Sequence, residues 1–363
     1  MAGLYVHIPF CHSKCAYCDF YSMPKHTDLY ERYVDVLAEE WENRKNELHE
    51  PIKTVYIGGG TPSVLPNSML ERLIEMLVPD RQKVVEFTVE VNPEDVTPSL
   101  INMLMRMGVN RVSMGVQSFM DDELSAVGRR HSAAQALAAI ALMQNMGISN
   151  ISGDLIYGLP GQTIDSWQYS VDKLLATGIP HMSAYSLTYE EGTRLWVMLQ
   201  AGRVVEASDD MVAEMYGYLC AATVSVGMEH YEISNFGMPD RHSMHNSSYW
   251  DYTPYVGLGP GAHSFDGHWR RANERNIMQY LQTHAQAYEI EPETADSRYN
   301  DYMITALRTS RGIDPKCFNE HEMSVVMTQE AAGRMTKLPD GNYRITEQGW
   351  LVADAIMTDL IRV

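Results

Sequence analysis

Short apolar runs rich in β-branched residues recur through the first half of the chain, and each is typical of a buried strand. Between them lie single segments with helical spacing. Strands that alternate with single helices form parallel βαβ units with right-handed crossovers, so this half predicts six parallel strands. The six runs are "LYVHI" from Leu4, "TVYIGG" from Thr54, "EFTVEV" from Glu86, "RVSMGV" from Arg111, "ISGDLIYG" from Ile151 and "HMSAYSL" from His181.

The segments between the runs carry helix start and stop signals. Asp28 with Glu31, and Ser68 with Glu71, each have the spacing of a capping box. Thr97 before a proline predicts an N-cap, and Ser132 and Thr163 are expected to begin two further helices. Glycines should close these three helices, and one apolar stripe defines the buried face of the first helix. The glycines are Gly108, Gly147 and Gly178, and the stripe is Tyr30, Tyr33, Val34, Leu37 and Trp41.

The order of the elements predicts an α/β protein with a partial (β/α)6 TIM-like barrel over residues 1–236. Residues 237–290, rich in aromatics, glycine and histidine, have no clean helical period and are expected to form a connecting segment. Residues 291–363 predict a small helical, winged-helix-like domain, which ends in a hairpin at Asp340-Gly341 followed by one helix. In such a barrel, chemistry belongs at the carboxyl ends of the strands, where the polar and glycine-rich residues lie.

The composition of the chain argues against several classes of function. The net charge is −19 and no run of Lys or Arg could line a phosphate backbone, so nucleic acid is not an expected partner. No apolar run approaches the roughly 18 residues that a membrane span needs. Because "MAGLYVHIPF" has neither a basic region nor a cleavage site, we expect no secretory signal and a cytoplasmic location. In a reducing compartment, clustered cysteines bind metal more often than they form disulfides.

Three of the five cysteines, Cys11, Cys15 and Cys18, fall within eight residues after the first strand. Soft thiolates suit zinc or an iron–sulfur cluster. A structural zinc site would need a fourth ligand, for which His12, Asp19 and His26 are candidates. A [4Fe–4S] cluster held by three thiolates keeps one iron open for an exogenous ligand. Spacing alone leaves both alternatives open.

The motif C-x3-C-x2-C, with an aromatic residue before the third cysteine, resembles the radical S-adenosylmethionine (SAM) superfamily. "GGGTPS", "EVNPE", "GVQSF" and "DLIYGLPGQT" then resemble, in order, the branch that contains the oxygen-independent coproporphyrinogen oxidase HemN and the HemW haem chaperones. The resemblance implies a [4Fe–4S] cluster on the three cysteines and reductive cleavage of SAM. It implies SAM contacts from Tyr5, Tyr17, Gly59, Gly60, Thr61, Glu90, Gln117, Arg129, Asp154, Thr188 and His263.

Two departures favour the chaperone branch over the oxidase. Oxidases of the HemN type carry a fourth cysteine where this chain has Phe20, and a long extension where only ten residues precede Cys11. "HNSSYW" at 245–250 resembles an element tied to haem handling in HemW proteins, which implies His245 as a haem-iron ligand and Tyr249 and Trp250 as haem contacts. Rival histidine ligands are His7, His12, His230, His242, His263 and His268.

Two functions therefore remain. The first is a haem chaperone that binds haem and a SAM-ligated cluster and delivers haem to haem-dependent respiratory proteins. The alternative is decarboxylation of coproporphyrinogen III to protoporphyrinogen IX. The resemblance also implies a low-potential electron donor of the flavodoxin or ferredoxin type, and a homodimer is a family expectation.

Overall fold

The structure, a computed structural model, describes residues 2–24 and 26–362. All six predicted strands are present. In the described residues the strands are β1 (Ala2–Ile8), β2 (Phe10–Cys11), β3 (Met23–Pro24), β4 (Ile52–Gly59), β5 (Glu86–Val91), β6 (Arg111–Gln117), β7 (Ile151–Tyr157), β8 (His181–Ser186), β9 (Glu229–Glu232), β10 (Asn235–Gly237), β11 (Tyr255–Leu258), β12 (His263–Phe265), β13 (Trp269–Asn273), β14 (Tyr288–Pro292), β15 (Met335–Lys337) and β16 (Tyr343–Ile345).

The helices alternate with the strands through the first half of the chain. They are α1 (Tyr30–Arg44), α2 (Asn67–Leu77), α3 (Pro98–Arg106), α4 (Asp121–Ala126), α5 (Ala133–Asn145), α6 (Ile164–Ala176), α7 (Arg194–Gln200), α8 (Asp209–Ser225), α9 (Met244–Trp250), α10 (Ile277–Gln282), α11 (Ala295–Leu307), α12 (Glu320–Ala331), α13 (Glu347–Trp350) and α14 (Ala353–Thr358). Short 3-10 turns lie at Thr27–Leu29, Pro62–Val64, Arg81–Lys83, Pro93–Asp95 and Pro315–Cys317.

The central strands β1, β4, β5, β6, β7 and β8 are parallel neighbours in that order, which confirms the predicted βαβ arrangement. The outer edge of β1 pairs with β11, and the outer edge of β8 pairs with β10. Because β1 and β8 have these other partners, the six strands form an open arc. The fold is the predicted partial (β/α)6 barrel.

The segment predicted to be a connection instead extends the sheet. Strand β11 pairs in parallel with β1, and β12, β13 and β14 continue the sheet as antiparallel neighbours. The boundary expected at residue 236 falls inside β10. "HNSSYW", for which the sequence showed no helical period, lies in helix α9. Short strands interrupted by turns carry too few residues to show a period, which explains the wrong expectation.

The C-terminal residues form the predicted helical unit with a hairpin. Helices α11 and α12 precede the antiparallel pair β15–β16, which turns at Asp340-Gly341 as expected. The single helix expected after the hairpin is divided into α13 and α14. Buried side chains of this unit, for example Met303 and Ile356, belong to the same apolar cluster as those of the barrel.

None of the helices within the described ranges is both long and apolar enough to cross a membrane.

Candidate functional site

The three cysteines lie in the loop beyond β1, at the carboxyl end of the barrel. Backbone hydrogen bonds fix this loop, because the amide of Gly60 donates to the carbonyl of Ile8 at 2.7 Å and the amide of Ala16 donates to the carbonyl of Val127 at 2.9 Å. A Cβ at Gly60 would lie 2.6 Å from the Phe10 oxygen and 3.0 Å from Cys11 Sγ. Glycine therefore lets the loop after β4 approach the cysteines closely.

The thiols are free, and their surroundings oppose ionisation in the protein alone. Burial raises the pKa of Cys11 to about 11, and it raises the pKa of Cys18 as well. The Arg129 guanidinium brings one compensating charge, with Nη1 3.6 Å from Cys15 Sγ. One buried and two half-buried thiols, with one guanidinium beside Cys15, fit a bound cationic metal group that would stabilise the thiolates.

Two of the three side chains proposed as fourth zinc ligands, those of His12 and His26, lie beside a carboxylate instead. His12 Nε2 lies 2.9 Å from Asp95 Oδ1, and His26 Nδ1 lies 3.9 Å from Asp28 Oδ1. Throughout residues 2–24 and 26–362, no three His, Cys, Asp or Glu side chains converge as ligands of one metal ion. A group that bonds all three thiolates must span a wider spacing, as the separate irons of a cluster do.

Glu90, at the end of β5, is held by two donors. Tyr56 OH donates to Oε1 at 2.7 Å, and the amide of Gly59 donates to Oε2 at 3.0 Å. A Cβ at Gly58 would lie 2.7 Å from the Glu90 carboxyl carbon, so glycine is required there too. Burial raises the pKa of Glu90 to about 7, although the hydrogen bond from Tyr56 opposes this shift. Each carboxylate oxygen keeps a lone pair for a further hydroxyl donor.

Arg129 connects three loops around this carboxylate. Its Nη2 donates to Asn92 Oδ1 at 2.7 Å and to the Gly115 carbonyl at 2.6 Å, while Nη1 faces Cys15. Gln117, two residues beyond Gly115, has a φ of +67° at a register shift between β6 and β7. Positive φ at a residue other than glycine is costly and concentrates at functional sites.

Asp154, on β7, supplies a second, half-buried carboxylate to the same cavity. The hydroxyls of Ser113 and Ser152 donate to it at 3.1 Å and 3.2 Å. Burial raises the pKa of Asp154 to about 6, and the positive charge of Arg111 limits the rise. Two carboxylates with raised pKa values in one cavity indicate a site for a cationic or hydroxyl-rich ligand.

One cavity of about 410 Å³ brings most of the predicted residues together. Its lining includes all three cysteines and nine of the eleven residues expected to contact SAM. These nine are Tyr17, Gly59, Gly60, Thr61, Glu90, Gln117, Arg129, Asp154 and Thr188.

The two remaining predicted residues, Tyr5 and His263, are absent from the lining that the structure describes. Tyr5 OH bonds His7 Nδ1 at 2.9 Å instead, and His263 is exposed at the start of β12. The sequence analysis missed several lining side chains that the structure shows. Tyr56, Ser113 and Ser183 share the inward-facing alternation of Glu90, which was a usable signal, and Asn246 lies inside "HNSSYW".

The residues of "HNSSYW" lie mainly inside the protein. His245 is 0% exposed, with Nδ1 2.9 Å from Thr54 Oγ1 and Nε2 3.0 Å from Tyr249 OH. Burial lowers the pKa of His245 to about 3. Both ring nitrogens are therefore occupied, and this conformation does not support the prediction that His245 ligates a haem iron.

Tyr249 and Trp250 instead border a second cavity of about 350 Å³. Half of its ten lining residues are aromatic, and the Arg270 guanidinium lies over the Phe265 ring at 4.7 Å. The remaining lining residues are Tyr252, Thr253, Tyr255, Asp301, Ile304 and Thr305. Aromatic rings and the Arg270–Asp301 pair line this cavity, which suits a flat ligand whose acidic group takes the place of Asp301 on Arg270.

Comparisons with known proteins point to one family. The family described as the radical SAM superfamily matches residues 5–174. "Heme chaperone HemW" of Lactococcus lactis is 37% identical over 85% of this chain and 82% of its own length. The chain belongs to the HemW family of radical SAM proteins. "Heme chaperone HemW" of Mycobacterium tuberculosis is 32% identical over 99% of this chain and 94% of its own length.

The fold of this HemW family member is similar to that of a solved structure. Coproporphyrinogen III oxidase (HemN) from Escherichia coli superposes with a TM-score of 0.83, covers 99% of this chain and 89% of its own, and is 20% identical. That likeness establishes the shared fold. In this HemW family member, Phe20 is 69% exposed at the mouth of the first cavity, beyond the third cysteine.

Proposed function

We propose that this protein is a haem chaperone that carries a SAM-ligated [4Fe–4S] cluster and delivers haem to haem-dependent respiratory proteins. The observation that carries the proposal is the second, aromatic cavity, which shares helix α9 with the cluster-side cavity in a chain similar to proteins named as haem chaperones. Large apolar cavities with few polar groups are the usual sites for cofactor-sized ligands.

The first cavity contains the residues that would hold the cluster and SAM. Three irons of the cluster would be bound by Cys11, Cys15 and Cys18. The loop glycines would contact the methionine part of SAM, and Glu90 would accept hydrogen bonds from its ribose. When bound, the cluster and SAM supply one-electron reductive cleavage of the sulfonium. Arg129 would lie beside the Cys15 thiolate and offset part of its negative charge.

Haem would lie in the second cavity against Tyr249 and Trp250. Aromatic rings bind the apolar face of a porphyrin, and Arg270 offers a guanidinium for one of its carboxylates. Arg270 is at present paired with Asp301, Nη2 to Oδ2 at 2.5 Å, so haem would compete with that carboxylate. His245 is assigned no ligand role in this proposal.

The proposal includes partners whose binding surfaces the fold does not define. These are a haem-accepting protein, a low-potential electron donor of the flavodoxin or ferredoxin type, and a second copy of the chain. A cytoplasmic location belongs with it, because three clustered free thiols need reducing surroundings to stay available for iron.

Haem titration of the anaerobically reconstituted protein tests the proposal. We expect a Soret-absorbing complex with wild-type protein, and roughly tenfold weaker binding for Trp250→Ala because the variant loses one aromatic wall. Tyr169→Ala is the control, since Tyr169 is an exposed aromatic on α6. Failure of the wild type to bind haem contradicts the proposal. Catalytic formation of protoporphyrinogen from coproporphyrinogen III would support the oxidase instead.

A further inference from the structure

Helix α9 forms part of the floor of the first cavity. Asn246 lines that cavity, and the preceding residue, His245, lies close under β1, where a Cβ on Gly3 would come within 3.2 Å of the imidazole. The carboxylate of Glu86 accepts the amides of Met244 and His245 at 2.8 Å each. This buried cap fixes the helix against β5.

The His245 imidazole is held in one orientation. Thr54 and Tyr249 bond its two nitrogens, and its face stacks on the ring of Tyr56 with centroids 5.3 Å apart and planes inclined by 29°. Tyr56 therefore has a fixed aromatic neighbour on one face. Its hydroxyl donates to Glu90 Oε1 at 2.7 Å.

Two contacts join "HNSSYW" to the cluster-side cavity, because His245 stacks on Tyr56 and Tyr56 donates to Glu90. We propose that His245 is a positioning residue for Glu90, and that it acts by fixing the ring of Tyr56. The inference rests on the proposed function only in assigning Glu90 to SAM. Removal of the imidazole would free the Tyr56 ring and weaken the hold on the carboxylate, although no contact to SAM is lost.

Two variants of similar size separate the ring from its hydrogen bonds. His245→Phe keeps an aromatic face for Tyr56 but leaves the Thr54 and Tyr249 hydroxyls without their partner, whereas His245→Gln keeps polar groups and loses the ring. The measurement is the SAM dissociation constant by equilibrium dialysis on reconstituted protein without reductant, at matched iron content. We expect His245→Phe to stay within about twofold of wild type and His245→Gln to bind roughly tenfold more weakly.

A double-mutant cycle with Tyr56→Phe gives a result that a purely structural role would not produce. Tyr56→Phe removes the donor to Glu90, so adding His245→Gln should weaken SAM binding no further. Additive losses in the double variant, or equal SAM affinity of His245→Gln and wild type, would overturn the inference. So would weaker binding by His245→Phe than by His245→Gln.

The haem titration distinguishes failure of this inference from failure of the chaperone function. If wild-type protein binds no haem, the proposed function fails while the SAM measurements still decide the role of His245. If both His245 variants lose the haem Soret band while His245→Gln keeps wild-type SAM affinity, the imidazole is a haem ligand and the positioning role is overturned.

Discussion

At the residue scale, the site depends on two carboxylates that line the first cavity. Glu90 lies near Tyr56, Asp154 and Arg111, and each of these groups affects its pKa. The carboxylate must be ionised to accept a hydroxyl proton in a charge-assisted hydrogen bond, and it shares its oxygens with Tyr56 and the Gly59 amide. The affinity for SAM is therefore expected to depend on the protonation state of Glu90.

We predict that SAM affinity falls as the pH is lowered from 8 to 6. Burial raises the pKa of Glu90 to about 7, so the carboxyl becomes protonated across this interval. Glu90→Gln should bind SAM several-fold more weakly at pH 8 and lose most of this pH dependence. Equilibrium dialysis at each pH measures both, and Asp154→Asn is the comparison because the pKa of Asp154 is raised to about 6. An unchanged pH profile in Glu90→Gln would remove Glu90 from the site.

The same shift predicts how stability depends on pH. A carboxyl whose pKa is raised on folding stabilises the folded state fully below its unfolded pKa, and this contribution is lost as pH rises through the folded pKa. Without SAM, Glu90→Gln should therefore gain stability relative to wild type between pH 5 and pH 8. Urea unfolding at the two pH values measures it, and a constant difference between the two proteins would contradict the assigned shift.

At the element scale, helix N-caps define where the loops that follow the strands end, and these loops carry site residues. Thr97 accepts the Leu100 amide at 3.2 Å and begins α3 directly after the loop that carries Asn92. Ser132 and Thr163 form capping boxes with Gln135 and Ser166. The predicted helix starts at Thr97, Ser132 and Thr163 are confirmed.

Thr97→Ala should lower the free energy of unfolding by about 1 kcal/mol, because one amide of the first turn loses its acceptor. Thr97→Ser keeps the hydroxyl and should stay within a few tenths of a kcal/mol of wild type. Urea denaturation followed by circular dichroism gives both values. Equal losses in the two variants would show that the methyl group, and not the cap, is what matters.

The capping boxes predicted at Asp28 and Ser68 are wrong, because arginines from other helices bind the two glutamates. Glu31 bonds Arg72 at 2.8 Å and Glu71 bonds Arg106 at 2.6 Å, so neither glutamate turns back to cap its own helix. Helix α2 instead has Pro66 at its N-cap. Local spacing predicts a cap only where no distant arginine competes for the acidic side chain.

At the scale of the whole molecule, the sequence predicts the barrel and most of the first cavity, but it does not predict the position of "HNSSYW". The alternation of strand and helix patterns predicted the partial barrel, and the resemblance to the radical SAM superfamily implied nine of the residues that line the first cavity. Neither predicted that "HNSSYW" folds beneath that cavity. The position of His245 depends on Thr54, Tyr56 and Glu86, which lie far away in the chain and give no local signal.

The most direct measurement is iron analysis with electron paramagnetic resonance of anaerobically reconstituted protein, before and after SAM is added. The account predicts about four irons per chain, a reduced-cluster spectrum that SAM alters, and loss of the cluster in Cys15→Ala. One tightly bound zinc per chain, or a cluster whose spectrum ignores SAM, would contradict it.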